Sequence, residues 1–253
     1  MTRSRSVDPD HSNHTDEARC IGLIGGMSWP STLTYYREIN ERVGRILGGS
    51  HSARLVICSD DYAEIERMQL HDEWEAAGSR LAHSARRLEA AGADLVGIAC
   101  NTMHRVAAEV REATGLPLVD LVESAADAAL AREVKSAVVL GTRFTAAMPS
   151  YAQALRSRGI ISQPVPTDVQ VALDRMIYDE LCLGRVTEES RRLLKEIISS
   201  AVAAGADGVL LACTELGLLV SESDLDEAVL VDTAEVHIDA LVSASLGRRS
   251  VAG

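Results

Sequence analysis

The chain has 253 residues, 47% of them hydrophobic, with Lys+Arg 25 against Asp+Glu 37 and a formal net charge of -12. That length suits one large domain or two small ones with ample core, and the composition excludes disorder and a coiled coil as the class of the whole chain. The acidity excludes nucleic acid as an expected partner, because phosphate binding requires clustered Lys and Arg.

Residues 1–19 are polar, charged and aperiodic and are expected to form a disordered tail. They lack the apolar core of a secretory signal, and no apolar run approaches the roughly 18–20 residues that span a bilayer. A cytoplasmic protein without membrane attachment is expected. Five scattered cysteines (Cys20, Cys58, Cys100, Cys182 and Cys213) read as free thiols rather than a disulfide framework.

From Cys20 onward, short runs rich in Val, Ile and Leu alternate with longer helical patterns. The runs are IGLIG (21–25), RLVICS (54–59), DLVGIAC (94–100), LPLVD (116–120), SAVVLG (136–141), GVLLAC (208–213) and AVLVD (228–232). Strands apolar on both faces and separated by helices imply an α/β fold, with a mainly parallel sheet flanked by helices. Ser28 is placed to cap a helix with Pro30 in its first turn, and Leu33, Tyr36, Asn40, Val43 and Leu47 mark its expected inner face. Trp74, Ala77, Leu81, Leu88 and Ala91 mark a second helix, and Thr187 opens a third that buries Leu193, Leu194, Ile197, Ile198 and Val202.

An internal repeat is the most informative feature. AGADLVGIAC (91–100) and AGADGVLLAC (204–213) match at seven of ten positions, 113 residues apart, and IGLIG (21–25) corresponds more weakly to AVVLG (137–141). In each half a buried strand ends in a cysteine and polar residues: Cys100-Asn101-Thr102 and Cys213-Thr214-Glu215. Strand C-termini are where open α/β sheets bind ligands, and helix N–H groups after such a strand favour a thiolate or a carboxylate. A lone cysteine closing an apolar strand reads as a small buried hydrophobe. Two at repeat-equivalent positions can instead face one cleft and address a stereocentre from opposite sides, one as base and one as acid. Cys20, Cys58 and Cys182 read as packing.

Other chemistries are disfavoured. IGLIGG falls short of G-x-G-x-x-G, no C-x-x-C or H-E-x-x-H occurs, and neither Lys135 nor Lys195 sits where a Schiff base would form, so no metal and no pyridoxal cofactor is expected.

At these residues a resemblance becomes specific. IGLIGGMSWPSTLTYYREIN, ACNTMHRVA, VVLGTRFT, ELCLG and ACTELGLLV, in that order, resemble the aspartate/glutamate racemase family, notably its bacterial branch of amino-acid racemases that open with GGMSW. The likeness runs from about residue 21 to 240 and implies two pseudo-symmetric α/β domains, 21–120 and 121–232, with a C-terminal helix around 233–247 available to pack back on the first. It also implies a cofactor-independent racemase acting on an amino acid, aspartate or glutamate, as a homodimer, with Cys100 and Cys213 as the acid/base pair. Met27, Ser28, Asn101, Thr102, Thr142 and Thr214 are implied around the substrate, with Gln69, or its competitor Arg67, on the side-chain carboxylate. Each reads equally as a cap or turn residue. His104, His237 and Glu215 are candidates to tune the thiols.

In one place the sequence departs from the family pattern. Where aspartate racemases tend to carry a basic residue for the distal carboxylate, Gln170, Val171 and Ala172 stand here, and Arg175 is the first base. Two alternatives accompany the racemase reading: a maleate-type cis/trans isomerase or decarboxylase of the same superfamily, and a non-catalytic small-molecule binding module.

Overall fold

The computed structural model describes residues 18–224 and 228–248. The expected tail lies outside them except for Ala18 and Arg19, and the Arg19 N–H is tied to the Ser245 carbonyl at 2.9 Å.

The chain forms β1 (Ile21–Gly25), α1 (Trp29–Leu47), β2 (Leu55–Ser59), α2 (Tyr62–Leu70), α3 (Trp74–Ala90) and β3 (Leu95–Ile98). A 3₁₀ turn over Thr102–Val106 leads into α4 (Ala107–Ala113), followed by α5 (Leu121–Ala131) and β4 (Ser136–Gly141). Next come α6 (Arg143–Ala146), α7 (Pro149–Ser157), β5 (Ile161–Gln163) and α8 (Thr167–Arg175), which runs into a π-helical turn, Met176–Glu180, and a 3₁₀ turn, Leu181–Leu183. Then α9 (Glu188–Ala203), β6 (Gly208–Ala212), β7 (Val229–Asp232) and α10 (Thr233–Ser245) complete the described chain. The strands form two parallel sheets in the orders β2-β1-β3 and β5-β4-β6-β7, each flanked by helices. This is a two-domain α/β architecture.

The repeat has a structural cause. The aspartate of each AGAD segment, Asp94 or Asp207, sits at the foot of β3 or β6 and accepts backbone N–H groups at the start of the neighbouring strand. Asp94 takes the Cys20 N–H at 2.6 Å, and Asp207 takes those of Ser136 and Lys135 at 2.8 and 3.0 Å. The same clamp therefore sets the register of β1 on β3 and of β4 on β6, and both cysteines follow at the opposite ends of those strands.

Two expectations need correcting, and one strand escaped the sequence reading. LPLVD contributes one bridge, Leu118 to Val96, rather than a strand, because Asp120 turns the chain by capping α5. The inner face of α1 is Thr32, Tyr35, Ile39 and Val43, while Leu33 and Tyr36 are 57% and 50% exposed. With 3.6 residues per turn, a one-residue error rotates the face by about 100°. Strand β5 gave no apolar run because it is a three-residue edge strand that leaves Ile161 exposed. The Ser28 and Thr187 caps form as expected.

Helix α10 joins the two sheets' cores. Ala234, Ile238, Leu241 and Val242 pack with Ile21, Leu23, Tyr35 and Ile39 beside the first sheet, and the helix also lies against α5. Asp232 caps α10, accepting the N–H groups of Ala234 and Glu235. Burial raises its carboxyl to about 6, while burial lowers His237, within the same helix, to about 3. The two act oppositely on acid stability. An unfolded chain binds the His237 proton first between pH 6.5 and 3, so stability falls as pH drops there; the folded chain binds the Asp232 proton first between pH 6 and 3.8, which opposes that fall. Asp232→Asn keeps the cap and removes the opposition. Denaturant titrations should show the variant losing stability between pH 6 and 3.8 more steeply than the parent, by about 1.4 kcal/mol per pH unit; parallel curves would contradict this assignment.

Candidate active site

The loops that leave β1, β3, β4 and β6 converge, together with α2 and the Met176–Leu183 segment, around one buried cavity of about 30 Å³. Cys100 follows β3 and Cys213 follows β6, so one thiol comes from each sheet, and both line this cavity. Met27, Gln69, Asn101, Thr102, Thr142, Thr214 and Glu215 line it as well.

The first loop is held by backbone constraint. Gly26 has φ +89, and a Cβ there would lie 2.0 Å from the Asp60 carbonyl oxygen, so only glycine lets the chain turn this closely from β1 toward the cleft. Ser28 then caps α1.

The two thiols sit in different electrostatic settings. Burial pushes Cys100 up to about 12, opposed by the backbone N–H groups of Met103 and Thr102, which donate to its sulfur. Those donors favour a thiolate. Cys213 donates its proton to Glu215 Oε2 at 3.1 Å, and burial, then the carboxylate charge, raise it well above an ordinary thiol. The arrangement holds Cys213 as a thiol.

Glu215 is 4% exposed and fully engaged. Its Oε1 accepts the Ser28 and Ser31 hydroxyls at 2.7 and 2.8 Å, and its Oε2 accepts Thr214 at 2.7 Å besides Cys213. Ser28 therefore supports the site from behind. Expected against the substrate, it does not line the cavity, because its hydroxyl is taken by Glu215.

A hydroxyl cluster forms a second polar face. Thr102 Oγ1 lies 2.9 Å from Thr142 Oγ1 and 3.1 Å from Thr145 Oγ1. Asn101 donates to Thr233 at 3.0 Å and accepts from the Tyr151 hydroxyl, which pins its amide behind Cys100.

The histidines do not reach sulfur. His104 Nε2 accepts the Leu121 N–H at 3.2 Å, which leaves the proton on Nδ1 to be donated to the Cys100 carbonyl at 2.8 Å. His237 Nδ1 accepts from Tyr35 at 2.9 Å, and its Nε2 donates to the Val119 carbonyl at 2.9 Å. Burial lowers both, so each is a neutral, two-bonded strut. The expectation that they tune the thiols is corrected accordingly: they position the backbone behind Cys100.

Other expected positions separate in the same way. Gln69 is buried and lines the cavity, its amide donating to Met103 Sδ at 3.2 Å, whereas Arg67 pairs with Glu73 at 2.8 Å away from it. Gln170 donates to the Gly141 carbonyl outside the cavity, Val171 is exposed, and Arg175 is exposed. Cys20 and Cys58 pack in the core as expected, but Cys182 lines the cavity with Tyr62, Ile177 and Tyr178. It packs against the core of the second sheet as expected and borders the cavity as well. Its own segment held the clue: ELCLG is one of the stretches that carry the family likeness, and a π-helical turn just before it redirects side chains at a place where such turns often serve function.

Comparison with known proteins agrees with this geometry. The Asp/Glu/hydantoin racemase family model matches residues 24–241. A Bacillus subtilis (strain 168) protein described as a broad specificity amino-acid racemase is 24% identical over 236 residues, 91% of this chain and 100% of its own. A crystal structure from Yersinia pestis, provisionally described as an Asp/Glu racemase, is 37% identical with a TM-score of 0.82, covering 90% of this chain and 99% of that one. An aspartate racemase homologue from Pyrococcus horikoshii OT3 is 29% identical with a TM-score of 0.76, at the same coverage of 90% and 99%. The chain belongs to the Asp/Glu/hydantoin racemase family and is an isomerase of the amino-acid racemase type.

Proposed function

We propose that this protein inverts the α-carbon of an amino acid by passing protons between that carbon and two cysteines, Cys100 and Cys213. The observation that carries the reading is that two repeat-equivalent thiols, one from each sheet, line a single buried cavity. In one direction the Cys100 thiolate removes the α-proton, the electron pair delocalises into the carboxylate, and the Cys213 thiol delivers its proton to the opposite face. The reverse direction exchanges the roles. Aspartate and glutamate are the substrates that the family name supplies, and the Bacillus subtilis relative widens the class to a broad range of amino acids.

The energetic difficulty is the weak acidity of the α-carbon. A thiolate basic enough to attack it must be desolvated, and burial raises both thiols in that sense. The Thr102 and Thr142 hydroxyls, which line the cavity, supply neutral donors to the carboxylate as negative charge builds on it, each worth a few kcal/mol when preorganised in a dry site. Cys100→Ala and Cys213→Ala should each lower racemisation about 10²–10⁴-fold, while the surviving thiol still exchanges the α-proton of one enantiomer with deuterated solvent. Undiminished turnover by either variant, followed by polarimetry, overturns the two-base assignment.

Glu215 keeps Cys213 protonated and in place. Removing its charge in Glu215→Gln lowers the Cys213 pKa, so in the direction that uses Cys213 as acid the alkaline limb of the pH–rate profile should move to lower pH. An unmoved limb would mean that Glu215 is only a structural link.

We also infer a homodimer located in the cytoplasm. Support for the dimer comes from an exposed apolar row on α1, with Trp29, Leu33 and Tyr36 at 69%, 57% and 50% exposure. No described helix is long and apolar enough to cross a membrane. Sedimentation should give twice the chain mass, reduced to the single chain by Leu33→Glu; a monomeric parent overturns the inference.

A further inference from the structure

The cavity lining carries no cation. Among the described residues around it none is Lys, Arg or His, and its one formal charge is Glu215, already bonded to four donors. Arg143 stands outside, its guanidinium 5.9 Å from the Tyr178 ring centroid, but it pairs with Asp174 at 2.9 Å, and its backbone N–H is held by the same carboxylate at 2.8 Å. In a racemase cycle this cleft already contains the Glu215 carboxylate, a thiolate and the substrate's α-carboxylate against one substrate ammonium. A second substrate carboxylate would add a further negative charge with no partner of opposite sign, in a buried site where such charges are poorly screened.

Neutral hydrogen-bonding groups are available instead. Tyr178 lines the cavity, and its hydroxyl is buried with no hydrogen-bond partner; Thr142 approaches it without reaching bonding geometry. A buried polar atom left unpaired is costly and is satisfied when a ligand supplies the missing partner. Beside it, the Tyr62 hydroxyl has only the weak acceptor Cys182 Sγ at 3.8 Å, and the Gln69 amide has only Met103 Sδ at 3.2 Å. Sulfur is a poor acceptor, so both groups gain by turning to an oxygen or nitrogen. A hydroxyl and an amide each both donate and accept, which matches an uncharged polar side chain better than an acceptor-only carboxylate.

We propose that Tyr178, with Tyr62 and Gln69, forms a side-chain subsite that selects amino acids with uncharged hydrogen-bonding side chains, amide or hydroxyl, over dicarboxylic amino acids of the same length. This rests on the racemase reading above. It locates specificity in the π-helical turn that follows the helix on which the family's expected basic residue is missing.

The test measures α-proton exchange by the full chain in deuterated buffer, followed by proton NMR, for L-glutamine against L-glutamate and L-asparagine against L-aspartate, with L-norleucine and L-lysine alongside. Each amide should exceed its acid in kcat/KM by about tenfold or more, the equivalent of one lost hydrogen bond at a buried group. Tyr178→Phe should lower the glutamine-to-norleucine ratio of kcat/KM about tenfold. Acids exchanged as fast as their amides, lysine ahead of glutamine, or an unchanged ratio in Tyr178→Phe each overturn the subsite. The absence of exchange with every amino acid overturns the racemase reading and the subsite with it, a result distinct from exchange with the wrong ranking.

Discussion

A buried carboxylate spanning the two halves is the interaction on which the rest of the site depends. Glu215 follows Cys213 at the end of β6, yet two of its four donors, Ser28 and Ser31, stand at the start of α1. A charge removed from water must be fully hydrogen-bonded or the fold becomes strongly destabilised. Satisfying Glu215 therefore brings the loop after β1 up against the loop after β6, which closes the cleft on the thiols and fixes the proton of Cys213 at the same time. One residue thus ties the two halves together beside the cavity and accepts the Cys213 proton.

Behind Cys100 the support is neutral. His104 bonds the cysteine's own carbonyl, His237 bonds Val119 and Tyr35, and Asn101 is held by Thr233 and Tyr151. Burial keeps the imidazoles uncharged, so they add rigidity without adding field. The N–H groups of Met103 and Thr102 lower Cys100 and that of Glu215 lowers Cys213, while the Glu215 carboxylate raises both. Of the two thiols, only Cys213 donates to that carboxylate.

The small cavity and the raised thiols belong together. Excluding water strengthens every dipole aimed at the reacting carbon and makes a thiolate a stronger base. The free hydroxyl of Tyr178 and the sulfur-bound amide of Gln69 are the groups beside the cavity left without a strong partner.

Local pattern was enough to determine the α/β class, six of the seven strands, the Ser28 and Thr187 caps and the equivalent positions of Cys100 and Cys213 at the ends of two strands, because parallel strands buried on both faces and a duplicated AGAD…AC segment leave their mark in consecutive residues. The inner face of α1 was not legible. It depends on packing against α10, where Tyr35 and Ile39 meet Ala234, Ile238 and Leu241 and Tyr35 bonds His237, 202 positions away. The places of Ser31 and Tyr178 were hidden for the same reason: each depends on which loops meet across the cleft, and side-chain chemistry at a meeting point is decided by tertiary distance, for which neighbours in the chain carry no signal.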